Sequence, residues 1–370
     1  MSYLKKLLCV GLVLLLFINT FAVSAYNTSA KAAVVIDGYT GEILYSQNCD
    51  QRLPMASTTK IMTALLLCEL GGDLSKEIVT TREMVTVEGS SMGLQVGDTV
   101  SYHDLLYGMM LSSGNDAANT TAIAIGGSIK AFVDIMNERA SQMGLTNTHF
   151  VTPSGLDADG HYTTAYELAL ITKQALENEN FAMAASSKTA RLCYGNPPYY
   201  RTLTNHNKLL KMYDDIIGVK TGFTKKSGRC LVSASKKDGK LVIAVTLNDG
   251  NDWQDHRALL DLGLSLIEVK NFSPQQGEIS LFVTNGEQIS LTIPSATISV
   301  TEDSKVNFLV QLPHLLYTPI KSGQQIGCVK YYCNDNLVCE KAITATKDIK
   351  KDENKFIILF EIFKSILLKV

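Results

Sequence analysis

The chain has 370 residues, 34 Lys plus Arg against 36 Asp plus Glu, and a formal net charge of −2. It has no basic excess to neutralise a phosphate backbone, so a general nucleic-acid binder is not expected. Apolar residues make up 46% and charged residues 19%, which supports a sizeable core, and the length suggests two domains at roughly 150 residues each.

Lys5 and Lys6 precede a run of apolar residues and Gly from Leu7 to Ile18, and Val23-Ser24-Ala25 follows. This order of charged, hydrophobic and small-residue segments predicts a secretory signal over 1–25. The run is too short to span a bilayer of about 30 Å, which takes ~20 helical residues. Ala33 to Ile36 and Ile43 to Tyr45 flank a turn at Asp37-Gly38 through Gly41, so a hairpin is expected over 32–48. Over Thr58 to Leu70 the residues Ile61, Met62, Ala64, Leu65, Leu66, Leu67 and Cys68 cover every side of a helix, the pattern of a buried one, and Gly71-Gly72 ends it.

Asp104 to Leu111 reads as helix, interrupted by Ser112-Ser113-Gly114. Asp116 is then expected to cap a helix from Ala117 to Ile125. A polar loop covers 146–165 and helix resumes from Ala165 to about Ala175. Ile216–Gly222, Cys230–Ser235 and Leu241–Leu247 read as successive strands, the last two joined by Asp238-Gly239, a strong hairpin signal. A closing helix is expected over Ala258–Val269. Beyond Asn271, Ile289, Leu291 and Ile293 alternate with polar residues, and Val306, Phe308, Val310 and Leu312 recur at every second position. Period-two runs of this kind predict a small all-β module over 270–345.

The tail, 346–370, is Lys-rich and then mostly apolar, with Glu361, Lys364, Ser365 and Lys369 on one stripe. A helix there either lies in a membrane interface or docks on the protein's own core. Its terminal position and apolar excess favour the membrane surface. Eight cysteines are present; Cys9 falls in the signal, Cys68 reads as a small core residue, and Cys333 and Cys339 flank a turn and could pair. The chain has no CxxC, and its six His show no ligand spacing, so neither a metal nor a cofactor is expected.

Three short motifs carry chemistry. Ser57-Thr58-Thr59-Lys60 opens the buried helix. Positions i and i+3 share a helical face, so the Ser57 hydroxyl and Lys60 amine can meet. Lysine serves as base only if burial or a second cation lowers its pKa from ~10.4. The same pattern occurs at Ser2/Lys5 and Ser233/Lys236, but only Ser57 has the helix-start setting the chemistry needs. Ser113-Gly114-Asn115 lies between two helices, where a hydroxyl can relay a proton and an amide can bind a peptide group. Lys220-Thr221-Gly222 ends a strand, where a cation and a hydroxyl suit a carboxylate and Gly222 leaves the edge open to an extended peptide. Each motif alone has an ordinary reading as a helix cap, a turn or a strand end.

Taken in this order, Ser-x-x-Lys, Ser-x-Asn and Lys-Thr-Gly form the set shared by penicillin-binding proteins and class A β-lactamases. With Ser90-Ser91-Met92-Gly93, Gly155-Leu156-Asp157, Asn205-His206-Asn207 and Gly218 through Thr224, the chain resembles the serine D-Ala-D-Ala carboxypeptidases, the low-molecular-mass penicillin-binding proteins, over about 27–345. The resemblance implies an α/β transpeptidase-like domain over 26–269, an antiparallel sheet flanked by helices with a helical subdomain. The 270–345 module would act as a spacer above the membrane. It implies Ser57 as nucleophile, Lys60 as base, Ser113 as relay, Asn115 on the substrate backbone, Lys220 and Thr221 on the terminal carboxylate, and the N–H groups of Ser57 and Phe223 as oxyanion hole. Peptidoglycan stems and β-lactams would be its partners. Phe223 and His206 stand where some relatives have His and Arg. A β-lactamase would need a Glu to activate water, and the 150–165 loop offers only Asp157 and Asp159.

Overall fold

The computed structural model describes residues 26–274, 278–284 and 287–350. The signal segment, Cys9 and the tail helix lie outside the described residues.

Nine strands and the helices between them build the N-terminal part. A five-stranded antiparallel sheet runs in the order β2-β1-β9-β8-β7, from β1 (Ala32–Asp37), β2 (Ile43–Gln47), β7 (Ile216–Thr224), β8 (Gly228–Lys237) and β9 (Lys240–Leu247). Strand β1 is buried along its whole length because both faces of the sheet are covered. Val34, Ile36, Val232, Ile243 and Val245 point into the large helical core. Ala33, Val35, Leu231, Val242 and Ala244 point the other way, against Leu259 and Leu260. The Asp238-Gly239 turn has φ of 52° and 78°, the left-handed pair that matches the twist of a tight hairpin.

The buried helix is α1 (Lys60–Leu70), with every residue from Lys60 to Leu67 inside the protein. It packs among α2 (Tyr102–Met110), α3 (Asn115–Gly126), α4 (Ile129–Gln142), α5 (Ala165–Leu176) and α6 (Glu179–Ser186). Helix α2 starts two residues before the expected Asp104. Ser101 Oγ accepts from the Asp104 N–H at 3.0 Å and the Asp104 carboxylate accepts from the Ser101 N–H at 3.2 Å, closing a capping box. The sequence reading assigns nothing to α4, α6 or a second sheet. That sheet runs β3-β4-β5-β6, from β3 (Glu77–Val79), β4 (Thr99–Ser101), β5 (Thr189–Gly195) and β6 (Pro198–Thr204). The closing helix, α7, spans Asp252–Leu266, not Ala258–Val269. Its first turn holds Asp252 and Asp255, which suit a helix N-terminus. Val269 belongs instead to β10 (Glu268–Phe272), paired with β13 (Ala296–Val300).

The remaining strands are β11 (Glu278–Phe282), β12 (Gln288–Thr292), β14 (Val306–Gln311), β15 (Gln325–Cys333) and β16 (Asn336–Thr344), all paired antiparallel. Ile289, Leu291, Ile298, Val329, Tyr331 and Ile343 form their common core. Cys333 pairs in register with Asn336, and Cys339 with Tyr331. Both thiols are free, as are those of the other described cysteines. Cys68 is partly buried against the helical core, and burial pushes its thiol up to about 12.

Candidate active site

Ser57 does not lie on the α-helix itself. It sits in a 3-10 turn, Ala56–Thr59, which leads directly into α1. The turn is entered through Ala56 at φ 48°, a conformation disfavoured for a residue with a Cβ. Neighbours hold it in place: Thr58 Oγ1 donates to Met55 O at 2.6 Å and Thr59 Oγ1 to Ala56 O at 2.8 Å. The far side of Thr59 meets His161 Nε2 at 2.8 Å, while His161 Nδ1 accepts from the Val151 N–H. The ring is therefore neutral with its proton on Nε2, and burial pulls its pKa down to about 4. Gly155 lies so close that a Cβ would fall 1.9 Å from Ala56 O; only glycine lets the 152–156 loop close over the turn.

Lys60 is fully buried, and its Nζ has three partners: Ser57 Oγ at 3.0 Å, Asn115 Oδ1 at 2.6 Å and Ser154 O at 2.6 Å. Burial first, and the positive charge of Lys220 second, hold its pKa well below the ordinary lysine value, with Asp116 opposing. Both conditions set out for an unprotonated lysine are met. Asn115 Oδ1 and Ser154 O can only accept, so each takes an N–H from Lys60 Nζ. An amine without its third proton, held in this way, would turn its lone pair towards Ser57 Oγ.

Asn115 and Asp116 open α3, which begins two residues earlier than expected. Asp116 is not a cap preceding the helix. Its carboxylate accepts from the N–H groups of Met92, Gly93 and Leu94 at 2.9–3.0 Å and from Ser91 Oγ at 2.6 Å, so it folds the 91–94 loop onto the helix start. Asn115 Nδ2 donates to Glu88 O at 2.5 Å and its N–H to Ser90 O at 2.7 Å. The Asn115 amide, expected to face substrate, is thus engaged on both sides by protein, with one amide hydrogen left to offer. Ser113 precedes it at φ 57° and is almost wholly buried. Such a strained serine between two helices fits a side chain held in a set direction.

Strand β7 is an edge strand of the sheet. A Cβ on Gly222 would lie 3.0 Å from the Ser57 nitrogen and 3.1 Å from Met55 O, so glycine is what lets this edge lie against the nucleophile turn. Lys220 is buried, donates to Thr221 O at 2.9 Å, and burial lowers its pKa to about 7. Phe223 is exposed. Ser57, Ser90, Ser113, His206, Thr221, Gly222 and Phe223 line one cavity of about 320 Å³. Burial and the nearby Lys220 charge lower the pKa of His206. The same cavity is lined by Arg229, Asp252 and Trp253, which the sequence reading did not single out. Arg229 Nε donates to the Asp252 carboxylate at 2.9 Å and its guanidinium faces the Trp253 ring. No short motif joins positions 229 and 252, and only the sheet and α7 bring them together. Asp157 accepts from Thr224 Oγ1 and Asp159 pairs with Lys226, so neither lines the cavity.

The family model for D-alanyl-D-alanine carboxypeptidases of the S11 peptidases matches residues 19–251, and that of the C-terminal domain of penicillin-binding protein 5 matches 268–351. The chain belongs to the D-alanyl-D-alanine carboxypeptidase family. It is a serine-type hydrolase of this group and a penicillin-binding protein, and the family works on the cell wall, outside the cytoplasm. It is 31% identical to the D-alanyl-D-alanine carboxypeptidase DacF of Bacillus subtilis, over 95% of both chains. It is 30% identical to DacC of Escherichia coli, over 89% of this chain and 86% of that one. Among solved structures, penicillin binding protein 5 from Haemophilus influenzae matches with a TM-score of 0.65 and 26% identity, over 89% of this chain and all of that one. The Streptomyces K15 DD-transpeptidase matches at 0.63 and 31%, over 66% of this carboxypeptidase and all of that chain. The α/β transpeptidase-like architecture and the all-β module are those of this family.

Proposed function

We propose that this enzyme removes the terminal D-Ala from peptidoglycan pentapeptide stems through an acyl-enzyme on Ser57, and that penicillin acylates the same hydroxyl. The observation that carries the reading is Lys60 Nζ, dry and 3.0 Å from Ser57 Oγ, with its two other partners both acceptors. Ser57 gives its proton to neutral Lys60 as Oγ attacks the carbonyl between the two D-Ala residues. The oxyanion is met by the N–H groups of Ser57 and Phe223. The proton returns from Lys60 through Ser113 to the leaving amine, and D-Ala departs. Water then repeats the sequence on the ester and frees Ser57. Protonated Lys220 and Thr221 hold the carboxylate of the leaving D-Ala, and Asn115 fixes Lys60 while its spare amide hydrogen reaches the stem backbone.

The test is intact-protein mass spectrometry after labelled penicillin, beside a D-Ala release assay. Wild type should gain one label and turn over; Ser57→Ala should lose both, by roughly a thousandfold or more in rate. Label retained on another serine sinks the assignment. The finer reading of location is export through the 1–25 segment and attachment to the outer face of the cytoplasmic membrane through 350–370. Deleting 350–370 should release a soluble enzyme that still cleaves a small peptide. A truncated chain that still pellets with membranes overturns the attachment.

A further inference from the structure

Strands β5 and β6 form a hairpin that the catalytic chemistry does not use. Tyr194 pairs with Tyr199 and Cys193 with Tyr200, so the two adjacent tyrosines of β6 project from opposite faces of the tip. Both rings are exposed, 54% for Tyr199 and 64% for Tyr200. Each is backed by a guanidinium: Arg201 stands 4.1 Å from the Tyr199 ring centre and Arg191 4.1 Å from that of Tyr200. Arg201 also stacks on buried Tyr194 at 4.2 Å. Between Thr189 and Thr204 the hairpin carries two arginines and no acidic residue. The stacked cations hold both rings in place while their other faces stay open, a preorganised surface for a flat partner.

The hairpin is also tied to the active site. Tyr194 Oη donates to Met92 O at 2.6 Å and Arg201 donates to Gly93 O at 3.2 Å. These carbonyls belong to the loop that Asp116 folds beside Ser90 at the cavity wall. From the other end, β6 runs directly towards His206, which lines the same cavity. Strand β6 carries the chain from Tyr200 to Thr204, about 13 Å at ~3.3 Å per residue, and Asn205 and the bend at His206 follow. A five-residue peptide held extended in the site reaches about 17 Å. The length of chain from the cavity wall to the tip is thus comparable with the reach of a stem peptide.

We propose that the tip of this hairpin, through Tyr199, Tyr200 and Arg191, is a docking surface for the glycan strand that bears the stem peptide. Pyranose rings present flat C–H faces that stack on aromatic rings, and their hydroxyl and N-acetyl oxygens accept from guanidinium. Insertion into a bilayer would call for large aliphatic side chains beside the tyrosines, and the tip turn Gly195-Asn196-Pro197-Pro198 supplies none. This inference rests on the function proposed above.

The test compares D-Ala release from a soluble pentapeptide with release from peptide-bearing glycan chains, for wild type, Tyr200→Ala, Arg191→Ala and Tyr200→Trp. The alanine variants should lose about three- to tenfold in kcat/KM on the glycan-bearing substrate, with the free peptide unaffected. Tyr200→Trp, which keeps a stacking ring, should retain the wild-type ratio. Equal losses on both substrates, or none on either, overturn the proposal. Binding to peptide-free glycan strands is measured in parallel by sedimentation. If wild type cleaves neither substrate, the catalytic reading has failed, and weaker sedimentation of Tyr200→Ala with glycan still supports the surface. Unchanged glycan binding, or a loss confined to phosphatidylglycerol vesicles, overturns it.

Discussion

The two parts of this chain treat buried polarity in opposite ways. From Glu268 onward, Ser299 is the sole buried polar side chain among the described residues, and the core is aliphatic and aromatic. The catalytic part buries two lysines, several aspartates and two histidines around one cavity wall and the sheet behind it. Burying a charge without full compensation costs several kcal/mol. The β module shows that the chain builds a core without meeting that cost. Where it is met, at Lys60 and Lys220, burial depresses both pKa values, and under the proposed mechanism a neutral Lys60 takes the Ser57 proton while the Lys220 charge pushes the Lys60 value down.

Lys60→Arg should have the largest consequence. Guanidinium keeps its charge at any accessible pH, so if neutrality is the purpose of burial, kcat should fall by roughly 10²–10⁴. Near-wild-type turnover would mean that Lys60 is there for packing and charge alone. With wild type, the rate should rise as pH climbs through the lowered Lys60 value, since only the deprotonated form takes the Ser57 proton. It should fall again as Lys220, at about 7 in the free enzyme, loses the charge that holds the carboxylate.

Lys220→Met would make the site resemble the β module. It should weaken carboxylate binding yet raise Tm by a few °C, since ~1 kcal/mol is worth about 2–4 °C in a domain of this size. The sign with pH is specific. Folding depresses this pKa from ~10.4 to about 7. The cost is therefore full below pH 7 and disappears towards 10.4, so the gain in Tm should be larger at pH 6 than at pH 9. A gain that grows with pH contradicts the burial cost.

Acid should act on the two regions differently while leaving activity at neutral pH untouched. Burial pulls His256, bonded to Ser233 and Thr246, down to about 3, and His161 down to about 4. The unfolded chain binds these protons near 6.5 while the folded one does not, so stability present above 6.5 is lost as pH falls towards 3–4. His256 alone should contribute on the order of 3 kcal/mol of loss by pH 4. In the β module, His314 is exposed. Hydrogen exchange at pH 4 should then show β8 and β9 losing protection before β15, and equal loss in both regions would deny the distinction.

The local code of this protein lies in its sequence. Spacing of three placed Lys60 beneath Ser57, and the apolar residues on every side forecast a helix with no wet face. Asp238-Gly239 forecast its hairpin, and period two forecast the β module. Such features depend on residues within a turn or two, where geometry is fixed by the backbone alone. The tertiary structure decided what no neighbour could. Ser154 O and Asn115 Oδ1, 94 and 55 residues away from Lys60, take two of its N–H directions and leave the third towards Ser57. The Asp116 carboxylate became the clamp of the 91–94 loop. Arg229 and Asp252 met in the cavity, and the β5–β6 hairpin rose beside it. A pKa is set by whatever excludes water and whatever charge is near in space, and only the folded chain brings those groups together.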